Sequence, residues 1–413
     1  MTSQKCKGAR DSLPEDMERF RHIEKVFRDI CLGWSYQEVR TPTLEHLHLF
    51  ATAGTLTPNM LNKVYSFLDW DGWSGERVVL RPDGTIPVAR LYSENLSMQD
   101  AARLFYVTNV FAFEETGKEN RERWQCGIEF IGNGKPTADV EVIMLAREIL
   151  RKLSIGEVKL QLSHAGMLKA LLKELKLSAD EEAMILTQIL DGNWQVLTEA
   201  KSVNSSTGKL LSLLLDIRGK SNSYLENLKA LPRLSPELKA ELDNFAEVAS
   251  LLDVLGCKYR IDITSTQGFE YYTGLCFQLS VKGVRVVSGG RYDNLIPLIG
   301  GKDTPACGFA LYIDHLMNLL QFEAGRKNQL GILVRGEAAT TDVVKSCFQL
   351  AQSLRNAGYM VEVDFTNLQS SCGWIVTVST EASSAFIITN QAQGQERSAA
   401  SIDEVIDIIG GTK

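Results

Sequence analysis

The sequence predicts an α+β protein with a small α/β unit at its C-terminal end, and three observations lead there. Strand-like runs through about residue 162 give way to a long stretch, to about 255, that reads almost wholly as helix. A period-two pattern then returns between Lys258 and Val287, where Tyr259, Ile261 and Ile263 share one face. Beyond about residue 325, short strands alternate with helices, the mark of a separate small core.

In order along the chain, Ser12-Leu-Pro-Glu15 has the spacing of a capping box with proline just inside the helix start. Met17, Phe20, Ile23, Phe27 and Ile30 follow at helical period, and Gly33 is placed to end that helix. Strands are expected at Tyr36 to Arg40, Val78 to Arg81, Leu104 to Phe113 and Gly127 to Ile131, with a helix from Ala138 to Leu153. Val158 to Leu162 alternates as a strand. A helical insertion is placed at about 164–256, and Ser235-Pro-Glu opens its last helix. Lys282-Gly283 reads as the turn between two β-rich runs. The expected domains are 1–325 and 326–413. In the second, strands at Gly331 to Val334, Met360 to Phe365, Ile375 to Val378 and Phe386 to Thr389 alternate with helices at Thr341 to Asn356 and Ile402 to Ile409.

Composition narrows the function classes. With 44% hydrophobic and 23% charged residues in 413, the chain reads as an ordinary globular protein with a large core. Met1 to Arg10 has no apolar stretch, so it does not read as a secretory leader, and Leu210 to Leu215 is far shorter than a membrane span. A cytoplasmic protein with no membrane association is expected. The eight cysteines include no Cys-x-x-Cys pair, and the five histidines do not cluster with them, so no metal and no cofactor are expected. Cys276 and Cys307 read as small buried hydrophobes. A formal charge of -7 does not advertise a nucleic-acid surface.

Six segments in order then become recognisable. Tyr36-Gln-Glu-Val-Arg-Thr-Pro42 resembles the first motif of class II aminoacyl-tRNA synthetases. Leu80-Arg-Pro-Asp-Gly-Thr85 resembles the amino-acid loop of histidyl-tRNA synthetases, which has Glu where this chain has Asp83. Gln125-Cys-Gly-Ile-Glu129 is similar to that family's Gln-x-Gly-x-Glu strand. Phe269-Glu-Tyr-Tyr-Thr-Gly274 and Gly289-Gly-Arg-Tyr-Asp293 resemble its histidine-pocket segments, and Gly308-Phe-Ala310 opens the third class II motif. The resemblance spans about residues 8 to 320. It implies a class II aminoacyl-tRNA-synthetase-like antiparallel sheet flanked by helices, and a C-terminal unit similar to an anticodon-binding domain.

The departures from that family bear on function. In an active member, arginines hold the ATP phosphates, because a carboxylate attacking an α-phosphate brings two anions together and fixed cations must stabilise the developing charge. Guanidinium does so bidentately and stays protonated. By the resemblance, those three positions here are Ala112, Gln267 and His315. Losing one preorganised group costs ~2.7–4 kcal/mol of transition-state stabilisation, so synthetase activity is expected to be lost. Arg121 and Arg123 read as loop charges, and a histidine of ordinary pKa is mostly neutral at pH 7.

By the same resemblance the histidine-binding residues are Asp83, Thr85 and Gln125 for the amino group, Glu129 and Tyr272 for the imidazole, with Gln267, Tyr271 and Tyr292 beside them. A carboxylate and a phenol suit a ring that both donates and accepts. Each has a duller reading. Asp83 in Pro-Asp-Gly is ordinary turn composition, and only one of Tyr271 and Tyr272 can face the cleft if they alternate along a strand; the resemblance to the family, not the alternation, favours Tyr272. Glu129, inside an apolar run, is an acid in need of a partner. His46, His48 and His164 carry no motif.

Synthetase-like chains eroded in this way include the regulatory subunits of short-form ATP phosphoribosyltransferases. The chain resembles that family, and the resemblance implies a non-catalytic role in histidine biosynthesis and a partner catalytic chain that joins ATP to phosphoribosyl pyrophosphate. It implies free histidine as effector and a homodimer within a hetero-octamer. The alternatives are an active or diverged histidyl-tRNA synthetase, or a paralogue acting on another macromolecule.

Overall fold

The computed structural model describes residues 5–54, 61–70, 75–116, 118–174, 178, 181, 184–185, 188–189, 222–229, 234–263, 271–321, 331–366, 372–379 and 385–411. The chain divides into two compact units, Met1–Gln321 and Phe322–Lys413.

The first unit opens with α1 (Pro14–Gly33), β1 (Gln37–Glu38), β2 (Leu44–His46), α2 (Leu47–Thr52), β3 (Ser66–Trp70), β4 (Gly75–Leu80) and α3 (Thr85–Asn95). Next come β5 (Ala102–Phe111), β6 (Glu122–Ile131), α4 (Pro136–Lys152) and β7 (Val158–His164). The insertion contributes α5 (Ala165–Glu174), α6 (Asn222–Lys229) and α7 (Pro236–Val254). The sheet resumes with β8 (Tyr259–Ile261), β9 (Leu275–Val281), β10 (Val284–Arg291), α8 (Leu295–Leu298), β11 (Ala306–Tyr312) and α9 (Ile313–Leu319).

An eight-stranded sheet in the order β1-β5-β6-β11-β10-β9-β7-β8 forms the body of this unit. Its six central strands are antiparallel, and the edge strands β1 and β8 run parallel to their neighbours. This is the α+β arrangement expected from the sequence. One face of the sheet packs Phe105, Ile128, Phe277, Phe309 and Leu311 against Phe20, Ile23 and Phe27 of α1, Ile143 and Ile149 of α4, and Phe245 of α7. Each such buried side chain contributes about 1.5–3 kcal/mol. The opposite face carries the short and polar residues described below. A smaller sheet, β2-β4-β3, lies beside α2 and α3.

Local starts and stops differ from the sequence reading in two places. The cap of α1 is Leu13, not Ser12, and Asp16 Oδ2 accepts from its N–H at 3.1 Å, so the acid of the box is Asp16 and not Glu15. Proline at the first helical position fixes this register, because its missing N–H needs no partner there. Gly33 is the last helical residue, and Ser35 (φ 62°) takes the left-handed turn instead. Elsewhere the cues hold: the Ser235 hydroxyl accepts from Leu238 N at 3.2 Å, and Lys282 (φ 50°) and Gly283 (φ 82°) make the two-residue hairpin between β9 and β10.

The second unit has β12 (Gly331–Gly336), α10 (Thr341–Asn356), β13 (Met360–Asp364), β14 (Trp374–Val378), β15 (Phe386–Asn390), β16 (Gln395–Ala399) and α11 (Ile402–Gly410). The sheet order is β13-β12-β14-β15-β16, with β12 parallel to both neighbours. Its own core joins Val334, Leu350, Val376, Ile388 and Val405. The strand β16 has no apolar pattern of its own and is not read from the sequence. It forms because it completes a hairpin with β15.

Candidate functional site

Strand register places the site. Alternation sends Tyr106, Gly127, Glu129, Gly308, Gly290 and Tyr292 to the face opposite α1, α4 and α7, the side on which α3 and α8 pack. Across the strands, Leu104, Glu129, Gly308, Gly290, Cys276 and Ser163 lie in one row. Tyr106, Gly127, Ala310, Ser288, Gln278 and Gln161 form the next. Small residues in the middle of both rows leave room for large side chains on either side. A Cβ on Gly127 would lie 2.2 Å from Tyr106 Cζ, and one on Gly308 2.1 Å from Glu129 Oε2. Real Cβ contacts do not come so close, so these glycines are required by the side chains packed over them.

Glu129 is the centre of the site. Its side chain is 1% exposed, and the Tyr292 hydroxyl donates to its Oε2. Among the described residues no hydrogen bond of good geometry reaches its Oε1, although the Thr85 and Tyr106 hydroxyls lie near the carboxyl. Burial pushes the carboxyl up to about 8, against the pull of the Tyr292, Thr85 and Tyr106 hydroxyls, while nearby Asp83 pushes the same way as burial. A buried acceptor left open in this way is a place for a donor.

Phenols surround it. Tyr271 stacks obliquely on Tyr272 at 4.9 Å between centroids and meets Tyr292 edge-on at 5.7 Å. Burial holds the hydroxyls of Tyr106, Tyr271, Tyr272 and Tyr292 well above the ordinary phenol range, so they are donors at any physiological pH. The segment from Tyr271 to Gly274 makes no strand pairing, so alternation does not choose between the two tyrosines. Tyr271 lies by Thr85, Asp83 and Glu129, and Tyr272 by Cys276, Tyr312 and Glu129.

The rim comes from the loop before α3. Asp83 Oδ1 accepts from Ile86 N at 2.9 Å, capping the helix, and its charge acts on Tyr106, Glu129 and Tyr271. Gln125, 5% exposed, donates from Nε2 to the Tyr106 hydroxyl at 3.4 Å. The structure therefore brings Asp83, Thr85, Gln125, Glu129, Tyr271, Tyr272 and Tyr292 together, and Gln267 lies outside the described residues.

The cations near this site are committed elsewhere. Arg81, 4% exposed, gives its donors to the Thr41, Pro42 and Asn109 carbonyls and to Asn109 Oδ1, which ties the loop after β1 to β5. Ala112 offers only a backbone N–H, bonded to the Arg121 carbonyl at 2.9 Å. Arg121 lies over the Phe113 ring and donates to the Glu114 carbonyl, and Arg123 pairs with Glu119 at 2.6 Å. His315 Nδ1 is 2.6 Å from the Arg285 carbonyl, on the exposed side of α9.

Sequence reasoning missed several supports. Tyr106 could have been found from the alternation of β5. Arg291 holds Asp139 of α4 through bonds of 2.9–3.1 Å, both nearly fully buried, and also reaches the Asn133 carbonyl and Asp293. Breaking such a pair from one side costs about 3–5 kcal/mol. Because the Thr273 and Gly274 N–H groups bond the Arg291 carbonyl, this pair also fixes the tyrosine segment. No sequence signal joins residues so far apart in the chain.

Comparison with known proteins follows the same outline. The histidyl-tRNA synthetase family model matches residues 8–316. An ATP phosphoribosyltransferase regulatory subunit of Dehalococcoides mccartyi is 45% identical over 410 residues, covering 98% of each chain. A histidine–tRNA ligase of Methanocaldococcus jannaschii is 33% identical over 375 residues, 87% of this chain and 86% of that one. Among solved structures, an ATP phosphoribosyltransferase regulatory subunit/histidyl-tRNA synthetase from Bacillus halodurans has a TM-score of 0.76 at 24% identity, covering 90% and 95% of the two chains. Apo histidyl-tRNA synthetase of S. aureus has a TM-score of 0.71 at 22% identity, over 99% and 100%. These two structures speak to the fold.

Proposed function

Because the chain belongs to the histidyl-tRNA-synthetase-like family of ATP phosphoribosyltransferase regulatory subunits, we propose that it is a non-catalytic subunit that binds free histidine and regulates a separate catalytic chain. The single observation that carries this reading is Glu129: a buried carboxyl with one oxygen held by Tyr292 and the other left without a hydrogen bond of good geometry among the described residues. An imidazole N–H satisfies that oxygen, and the tyrosine hydroxyls supply donors for the ring's other nitrogen. Asp83, Thr85 and Gln125 then receive the amino group, a charge-assisted arrangement for an ammonium. Asp83 already gives one oxygen to Ile86 N, so it serves both loop and ligand.

ATP is handled differently. Ala112 and His315 offer no guanidinium, and Arg81, Arg121 and Arg123 already have partners. The reading is of a pocket for the amino acid without a grip on the nucleotide, and synthetase activity is lost.

The partner is a short catalytic ATP phosphoribosyltransferase chain, and histidine inhibits it by preferring the less active state of the assembly. The chain forms a homodimer within a cytoplasmic hetero-octamer, and the C-terminal unit is a docking or vestigial module. Residues 322–413 carry ten acidic and seven basic side chains, which suits protein contacts better than RNA. The test is coexpression with a short catalytic chain. Co-purification, together with phosphoribosyl transfer that histidine inhibits only when this chain is present, supports the reading. Failure to associate counts against it.

A second reading, an active histidyl-tRNA synthetase, draws on the 33% identity with the M. jannaschii ligase. Histidine-dependent ATP–pyrophosphate exchange separates the two.

A further inference from the structure

The tyrosine segment of the pocket is held from behind by the insertion. Lys169 of α5 points its ammonium at the Tyr272 carbonyl, 3.0 Å away. Ala165 N, at the start of the same helix, donates to the Gly274 carbonyl at 2.8 Å. Gly166 lets the helix approach this closely, since a Cβ there would be 2.7 Å from the Thr273 carbonyl and 2.6 Å from Glu241 Oε2. Glu241 of α7 is half-buried beside Lys169, and the two charges favour each other. The ammonium is largely removed from water, and burial lowers its proton affinity. From the opposite side, the Thr273 and Gly274 N–H groups bond the Arg291 carbonyl, and the Thr273 hydroxyl accepts from Asp293 N at 2.9 Å. Residues 272–274 are thus clamped between the rigid sheet and the first turn of the insertion. Only the sheet half of the clamp lies in the family's pocket motifs.

We propose that Lys169 is a positioning residue for the amino-acid pocket: it fixes Tyr272 through its main-chain carbonyl and makes histidine affinity depend on how α5 and α7 are packed. The side chain does not touch the ligand. It acts by removing freedom from the segment that carries Tyr272, so that binding has less disorder to quench. Movement of α7 relative to the sheet would displace Glu241, loosen Lys169 and release Tyr272. Anything that grips the insertion thereby acts on the pocket. This inference rests on the pocket being a histidine site, and the test separates the two claims.

The experiment uses the full chain as wild type, K169M, K169R and G166A. K169M keeps the apolar stem and loses the donor, K169R keeps a donor, and G166A forces α5 off the segment without changing Lys169. Amide hydrogen exchange of the unliganded proteins reads the clamp at Ala165, Thr273 and Gly274, and calorimetry with histidine reads the pocket. Expected are exchange at these amides faster by about tenfold or more in K169M and G166A, and histidine binding weaker by roughly tenfold, with K169R near wild type on both. Thermal unfolding confirms that the variants compared are folded. If K169M unfolds, G166A against K169R decides. Unchanged exchange and affinity in K169M, or loss in K169R equal to that in K169M, overturns the proposal. A wild type that binds no histidine removes the functional reading, while the exchange measurement still decides whether Lys169 clamps the segment.

Discussion

The Tyr292 hydroxyl donates to Oε2 of Glu129, and among the described residues no hydrogen bond of good geometry reaches Oε1 of the same buried carboxyl. Replacing the acid by its amide, Glu129→Gln, keeps the shape and removes the charge. Histidine affinity should fall by about 1.5–3 kcal/mol, roughly ten- to a hundredfold, by calorimetry at pH 8. Affinity within twofold of wild type would remove Glu129 from the site.

The same carboxyl makes stability and binding respond to pH in opposite senses. Its folded pKa, raised by burial to about 8, exceeds the ordinary value of 4.5, so the empty folded state holds a proton that the unfolded state has released. Stability from this group is full below the ordinary value and is lost as pH rises towards 8. The E129Q variant should lack that loss and melt higher than wild type at pH 8. A ligand donor prefers the ionised carboxylate, so histidine binding should strengthen from pH 6 to 8 and release protons at pH 7. Calorimetry in buffers of different ionisation enthalpy reads this, and proton uptake would contradict it.

Gly308 is the tightest steric constraint in the pocket. Gly308→Ala places a methyl against Glu129 Oε2 and the Ile128 carbonyl. The substitution should cost about 1–3 kcal/mol in stability and abolish detectable histidine binding. Denaturant unfolding and calorimetry check the two parts, and a stable, fully binding variant would show that the strands can spread.

His164 is buried with Nδ1 accepting from Met167 N at 3.2 Å, and burial lowers its pKa to about 4. For a base with a lowered folded pKa, the unfolded state binds the extra proton first. Stability is therefore present above the ordinary 6.5 and is lost as pH falls towards 4. His164→Asn, which keeps an acceptor, should flatten the melting-temperature profile over that window. An unaltered profile would place the acid sensitivity elsewhere.

Strand β3 presents Phe67, Leu68 and Trp70 to solvent at 45%, 58% and 66% exposure in the single chain. Apolar edges of this kind are covered in assemblies. If this edge makes the self-contact of the proposed homodimer, Trp70→Lys should shift the protein towards monomer in light scattering. A dimer that persists unchanged would locate the self-contact on another face.

The sheet strands and the long helices were legible because their periods of two and near four survive in the sequence. Glu129 stood out as an acid in an apolar run, and Ser235 and Lys282-Gly283 carried local chemistry that needs no tertiary context. What was hidden depends on distance. Arg291 and Asp139, Lys169 and the Tyr272 carbonyl, and Tyr106 over Gly127 meet only when the sheet closes. Alternation does not choose within the tyrosine pair for a related reason: it constrains paired strand, and Tyr271 to Gly274 is not paired. At the start of α1 the proline, not the serine, set the register.

The proposed role requires a chain that keeps the amino acid and has lost the nucleotide chemistry. Histidine-dependent ATP–pyrophosphate exchange, run on purified chain with saturating histidine, ATP and magnesium, asks that directly. The expected result is no exchange above the enzyme-free background. Exchange that appears only with histidine, and disappears in E129Q, would contradict it and identify a working synthetase.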